Sequence, residues 1–175
     1  MFYYVHGYLS NPNSTKGTLF KKTLNAKPIK YRDCEPEKLT ISDCLKRISE
    51  EIQNDENAIL IGSSLGGFLA AKTALTHKIK KLILLNPAII PPGYDISKIE
   101  DMPQEILRDM QDEDLFSQKI KSEIHIFIGT NDCVVPNRWP IEFAKAQEAS
   151  VRFLKDDHSF TSYINHLPTF IKNII

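Results

Sequence analysis

The sequence has 175 residues, of which 42% are hydrophobic and 25% are charged, and its formal net charge is zero. This composition is typical of a globular protein and argues against a disordered chain. A neutral chain has no general attraction for nucleic acid or anionic lipid, so we expect neither as a partner. The length predicts one domain over residues 1–175.

Membrane insertion and export are not expected from the sequence. The longest uncharged stretches, residues 1–15 and 57–71, are shorter than the roughly 18 apolar residues that a membrane span needs. No basic region precedes an apolar segment at the N-terminus, so we predict no secretory signal. Cys34, Cys44 and Cys133 are odd in number and lack metal-ligand spacing, which predicts reduced thiols in the cytoplasm and no metal site.

Short apolar runs alternate with longer amphipathic segments. The predicted strands are Phe2–His6, Pro28–Arg32, Ala58–Ile61, Lys81–Leu85, Ile124–Ile128 and Val151–Leu154. Ser14 is predicted to cap a helix. The apolar stripe Ile41, Leu45, Ile48 and Ile52 predicts a second helix, and further helices are predicted over Ser64–Thr76, Trp139–Ala149 and Thr161–Ile175. Within the last of these, Pro168 should begin a second short helix. This alternation predicts an α/β fold with a mostly parallel sheet of about six strands, whose chemistry collects at the carboxyl ends of the strands.

A candidate nucleophile follows the third predicted strand. The run Gly62-Ser63-Ser64-Leu65-Gly66 fits Gly-x-Ser-x-Gly in a strand–turn–helix setting. A serine on so tight a turn needs glycines two residues on either side, because side chains there would collide with the strand and the helix. Ser64 is therefore predicted to present its hydroxyl above the sheet, with Ser63 pointing elsewhere. The alternatives are a helix-capping serine or a phosphate-binding loop, but the Walker lysine is missing.

A serine nucleophile needs a base that a third group orients, in the chain order Ser, acid, His. Asp132 follows the strand Ile124–Ile128, and His158 follows the last strand, so both lie in the expected kind of loop. Alone, each residue is more typical of a turn or a solvated loop. Asp156 and Asp157 are alternative acids, but their adjacency to His158 makes them awkward partners for its imidazole.

Backbone N–H groups are predicted to stabilise the oxyanion. The N–H of Leu65 lies at a helix start, and the turn after His6-Gly7 can aim the N–H of Tyr8 at the same point. His6 itself is predicted to be structural, packing under the loop.

These motifs together resemble the signatures of the α/β-hydrolase superfamily. The start from His6 to Lys16 and the run Asn86-Pro87-Ala88 also resemble the small YqiA-like (UPF0227) esterase family. The resemblance spans nearly the whole chain. It implies a three-layer α/β-hydrolase-type fold, with Ser64 as nucleophile, His158 as base and Asp132 as acid. It also implies carboxylic-ester hydrolysis without a cofactor.

The stretch 91–122 is where a cap would be inserted, and its 32 residues predict a minimal one. Met102, Ile106 and Met110 are spaced to cover the pocket as one amphipathic helix, or simply to pack on the core. Acidic residues in this stretch would disfavour anionic substrates if they rim the site. We expect a small ester as substrate. Thioester cleavage, acyl transfer, peptide cleavage and a catalytically silent binding module remain alternatives on the same fold.

Overall fold

The computed structural model describes residues 1–53 and 55–175. Its six strands form one sheet in the order β2-β1-β3-β4-β5-β6, and every neighbouring pair is parallel. The strands are β1 Phe2–Val5, β2 Lys27–Pro28, β3 Ile59–Ser63, β4 Lys81–Leu85, β5 Glu123–Gly129 and β6 Ser150–Leu154. Chain direction across the sheet reverses between β1 and β3, and the loops that follow these two strands flank that point, where ligands commonly bind in such sheets.

Helices cover both faces of the sheet. They are α1 Thr15–Leu24, α2 Ile41–Ile52, α3 Leu65–Thr76, α4 Gln104–Met110, α5 Asp114–Ser117, α6 Arg138–Gln147 and α7 Leu167–Lys172. One hydrophobic cluster lies on each face of the sheet, because successive side chains of a strand point to opposite faces. Tyr3 and Val5 belong to the cluster that α2, α3, α4 and α6 cover, and Tyr4 belongs to the one under α1 and α7. The result is a three-layer α/β fold.

Most predicted elements are present with shifted ends. The predicted strand Pro28–Arg32 is wrong, because only Lys27 and Pro28 pair with β1 and the chain then leaves the sheet edge. The tail prediction is also wrong before Pro168: residues 161–166 form turns and a 3-10 turn, and α-helix begins only at Leu167. Pro168 does lie in the first turn of that helix, where its missing N–H costs no hydrogen bond. The predicted cap at Ser14 is confirmed, since its Oγ accepts the Gly17 N–H at 3.2 Å.

The stretch 91–122 carries two short helices, α4 and α5, rather than one long amphipathic helix. Pro103 precedes α4 and leaves Met102 outside it. Ile106, Leu107 and Met110 are buried in the core. This segment therefore packs on the core, as one of the two sequence interpretations stated, and its residues Met102, Leu107 and Met110 also line a cavity, as the other stated.

Candidate active site

Ser64 occupies a strained turn between β3 and α3. Its φ of 54° and ψ of −123° fall in a region that side chains rarely adopt. The turn is held from two sides: the Ser64 N–H donates to the Leu85 carbonyl at 3.1 Å, and the Ser64 carbonyl accepts the Ala88 N–H at 3.0 Å. The predicted strand–turn–helix setting of Ser64 is therefore present.

Two glycines make this turn possible through close approach of the backbone. A Cβ at Gly62 would lie 2.4 Å from the Gly66 carbonyl oxygen, and a Cβ at Gly66 would lie 2.2 Å from the Val5 carbonyl oxygen. Both distances are far inside van der Waals contact. The collisions that the sequence predicted, with the helix on one side and a neighbouring strand on the other, are those found.

His158 and Asp132 meet above the carboxyl ends of β5 and β6. His158 Nδ1 lies 2.7 Å from Asp132 Oδ2, and the Asp132 side chain is only 1% exposed. The other carboxylate oxygen of Asp132 accepts the N–H groups of Val134 at 2.8 Å and Val135 at 2.9 Å. These two backbone bonds fix the carboxylate, and the carboxylate in turn orients the imidazole.

The alternative acids are engaged elsewhere. The Asp157 carboxylate accepts the Ser159 and Thr161 N–H groups and the Thr161 hydroxyl, at 2.7–3.0 Å. Asp156 is buried and accepts N–H groups from Asp157, Ser162 and Tyr163. Both residues shape the loop that carries His158, and neither carboxylate bonds its imidazole.

Ser64 and His158 line the same cavity. Among the described residues no hydrogen bond joins the Ser64 hydroxyl to the imidazole. Catalytic hydrogen bonds of this kind often become short only when substrate binds. Gly7 packs against the serine, since a Cβ there would lie 3.3 Å from Ser64 Cβ. Tyr8 follows Gly7 on the cavity wall, and Leu65 begins α3 directly after Ser64. In the described part of the chain neither the Tyr8 N–H nor the Leu65 N–H donates a hydrogen bond.

His6 is structural, as predicted. Its side chain is 1% exposed, its ring stacks on Tyr31 with centroids 4.3 Å apart, and its Nδ1 lies 2.9 Å from the Gly7 carbonyl oxygen. Burial lowers the pKa of His6 from 6.5 to about 4, so the ring is neutral at pH 7. The stacked ring supports the loop that presents Tyr8.

Asn86 is a site residue that the sequence reasoning did not single out. Its side chain is buried, and it joins the loops after β5 and β6. Asn86 Oδ1 accepts the Gly129 N–H at 2.7 Å, while Nδ2 donates to the His158 carbonyl at 3.0 Å and the Asp157 carbonyl at 3.2 Å. The signal available in the sequence was an Asn-Pro pair directly after a predicted strand, because asparagine tolerates the positive φ of 44° that Asn86 adopts.

The cavity has a volume of about 1130 Å³. We group its lining residues by chemical type and call the two groups the apolar wall and the polar wall. The apolar wall includes Ile90, Tyr94, Met102, Leu107, Met110 and Trp139. The polar wall includes Tyr4, Ser14, Lys16, Ser63, Ser159 and Thr161. Ser63, which was predicted to point elsewhere, therefore also borders the cavity.

Within residues 1–53 and 55–175, no three His, Cys, Asp or Glu side chains gather as they would around a metal ion. None of the helices in these ranges has the length and apolarity to cross a bilayer.

Solved structures with this fold include several α/β hydrolases. Est1E from Butyrivibrio proteoclasticus, solved with ferulic acid bound, superposes with a TM-score of 0.81 at 19% identity, covering 99% of this chain and 86% of that one. Mouse α/β hydrolase domain-containing protein 10 gives 0.79 at 19% identity, covering 99% and 88%. The monoacylglycerol lipase of Paleococcus ferrophilus gives 0.77 at 15% identity, covering 98% and 92%. At such identities the likeness shows the fold alone.

The curated proteins yielded no match. A family model, by contrast, covers almost the whole chain, and its description is that of an uncharacterised protein family, UPF0227. The match runs from residue 1 to residue 174 and so includes every residue of the candidate active site. This protein, with its α/β-hydrolase fold, belongs to the UPF0227 family.

Proposed function

We infer that the protein is a serine esterase that hydrolyses small carboxylic esters through an acyl-enzyme intermediate. The observation that carries this proposal is the 2.7 Å contact between His158 and a buried Asp132, beside a serine on a strained turn that faces the same cavity. Strain and a buried carboxylate both cost stability, and they are typical of sites selected for chemistry.

In the proposed reaction His158 Nε2 takes the proton of the Ser64 hydroxyl as its Oγ attacks the ester carbonyl. The oxyanion that forms accepts hydrogen bonds from the N–H groups of Tyr8 and Leu65. His158 then gives the proton to the leaving alcohol, and the carbonyl–alkoxy bond breaks. Water then attacks the acyl-enzyme as His158 takes its proton, and His158 returns that proton to Ser64 Oγ as the acyl–serine bond breaks and the acid leaves. Asp132 keeps the imidazole in the required tautomer.

Three unpaired cysteines favour a reducing compartment, so we expect a cytoplasmic enzyme acting as one domain.

The first test replaces the nucleophile. Ser64→Ala should abolish hydrolysis of 4-nitrophenyl butyrate and labelling by a fluorophosphonate, because both need the Ser64 oxygen. Circular dichroism should show an unchanged fold, since alanine fits the space of serine. Labelling that persists in the variant would move the nucleophile elsewhere, and no labelling of the wild type would favour a silent binding module.

The second test separates the two candidate acids. Asp132→Asn should lower kcat by about 10⁴-fold, because an amide at this position selects the wrong imidazole tautomer. Asp157→Asn is the matched control, because its carboxylate holds only the loop, and it should lower kcat far less. A larger loss in Asp157→Asn than in Asp132→Asn would assign the acid to Asp157.

A further inference from the structure

The cavity crosses the carboxyl edge of the sheet, so that its two walls belong to opposite faces. Leu107, Met110 and Trp139 of the apolar wall belong to the hydrophobic cluster that also contains Leu65 and Val5. Tyr4 of the polar wall belongs to the cluster on the opposite face. Ser64 directly follows β3 and lines the same cavity. A bound ester would therefore extend one arm along each wall.

Lys16 supplies the one cationic group of the polar wall. It is the second residue of α1, its side chain is partly buried, and it lines the cavity. In the described part of the chain its ammonium has no salt bridge and no hydrogen bond. The nearby carboxylates of Asp156 and Asp157 are already bonded to backbone N–H groups. A partly buried ammonium without a direct partner gains when an anion binds beside it.

The burial of Lys16 has an electrostatic consequence. Desolvation lowers the pKa of its ammonium, and the charges of Asp157 and Asp156 offset that effect only in part. The two carboxylates thus help the protein to tolerate the positive charge of Lys16. They act from a distance, because neither forms a salt bridge with its ammonium.

The side on which Lys16 lies determines which arm of the substrate it meets. His158 must protonate the leaving alcohol, so this alcohol lies on the imidazole side of Ser64. Ser159 and Thr161, which follow His158 in the chain, belong to the polar wall together with Lys16. If the leaving alcohol follows the residues after His158, it extends along the polar wall, and the acyl group extends along the apolar wall.

The acidic residues that border the cavity stand on the other side. Glu100 and Asp101 are exposed and belong to the segment that contributes Met102 to the apolar wall. Lys98, also exposed, lies 3.5 Å from Asp95. An anionic acyl group would approach the exposed carboxylates of Glu100 and Asp101. An anionic alcohol would approach Lys16, where the charges of Asp156 and Asp157 oppose its binding in part.

We propose that the preferred substrates are esters of an apolar acid with an alcohol that carries a carboxylate or phosphate, and that Lys16 binds this anion. The proposal rests on the proposed esterase function. We expected the acidic stretch to disfavour anionic substrates if it rims the site, and the proposal limits that effect to the acyl side.

The kinetic test uses a matched pair of substrates, 4-carboxyphenyl hexanoate and its neutral analogue 4-carbamoylphenyl hexanoate. The ratio of their kcat/KM values should fall about tenfold in Lys16→Met, the loss expected for one charge-assisted contact. Lys16→Arg should retain most of the ratio, and Lys16→Gln replaces Met if that variant misfolds. Lys98→Met is the control cation on the same cavity and should change the ratio less than twofold.

Three results would overturn the proposal. These are an unchanged ratio in both neutral Lys16 variants, an equal fall in Lys98→Met, or a larger Lys16 effect on monophenyl adipate, whose carboxylate lies on the acyl side.

A binding test separates this proposal from the esterase function itself. In a Ser64→Ala background, calorimetry should detect monohexyl phosphate binding more tightly than 1-hexanol, and adding Lys16→Met should weaken the phosphate about tenfold. If the wild type hydrolyses neither ester, the esterase proposal fails, and this measurement decides on Lys16 alone. Equal phosphate binding with and without Lys16→Met would refute the anion site.

Discussion

Single residues in strained conformations hold the candidate active site together. Ser64 and Asn86 both have positive φ values, 54° and 44°, and they directly follow the neighbouring strands β3 and β4. Such conformations persist only where the surroundings over-determine them. The Asn86-Pro87-Ala88 turn does this: Ala88 bonds the Ser64 carbonyl, and the Asn86 side chain bonds the loops that carry Asp132 and His158. One turn therefore positions all three candidate catalytic residues.

Asn86→Asp should lower kcat about 10- to 100-fold with little change in KM, because the new carboxylate oxygen faces two backbone carbonyls and displaces the His158 loop. The pH profile of kcat should shift as well, since the imidazole no longer sits against Asp132 in the same way. Kinetics from pH 5 to 9 and thermal unfolding of the same samples provide the measurement. A loss of kcat that merely follows the unfolded fraction, with an unmoved pH profile, would assign Asn86 a structural role only.

At the scale of elements, the connection from β3 to α3 depends on close backbone contacts, which are possible only because glycine has no side chain. Gly66 approaches the carbonyl groups of Val5 and His6 in β1 and the residue after it. This contact is with rigid backbone, so no side-chain rotation can make room for a methyl group.

Gly66→Ala should therefore destabilise the protein by about 3 kcal/mol or more, the upper range for overpacking. Gly93→Ala is the control: it meets nothing within 4 Å, and its φ of 75° should cost only about 1 kcal/mol. Urea unfolding followed by circular dichroism measures both. Equal losses would show that the elbow can relax around the added methyl group.

The stability of the whole molecule should depend on pH through the buried ring of His6. In the unfolded chain a histidine takes up its proton near pH 6.5, whereas the folded ring stays neutral down to about pH 4. Unfolding therefore binds a proton between these values, and the free energy of unfolding falls as the pH falls from 6.5 to 4.

The decrease should total on the order of 3 kcal/mol, and His6→Phe should remove most of it while preserving the stacking on Tyr31. Urea unfolding at several pH values between 4 and 7 measures the slope. The same slope in wild type and His6→Phe would mean that other groups control the acid sensitivity.

How far the sequence could predict this molecule depends on the range of each interaction. The contact of Gly62 with Gly66, the Ser14 cap and the stripe of α2 lie within a few residues of one another in the chain, and they were predicted. The stripe already needed correction, because Cys44 is buried in α2 while Leu45 is only partly so. The predicted extent of β2 was wrong, because it depends on pairing with β1, which is distant in the chain.

The chain order of Ser64, Asp132 and His158, and the kind of loop in which each lies, followed from the sequence alone, because strand–helix alternation and local turn chemistry determine them. Only the tertiary structure decided that His158 contacts Asp132 rather than the two aspartates beside it in the chain. It also decided that Asn86 joins their loops, and that Lys16 faces the cavity. Each of these contacts joins segments that approach one another only when the sheet assembles, so no local pattern records it.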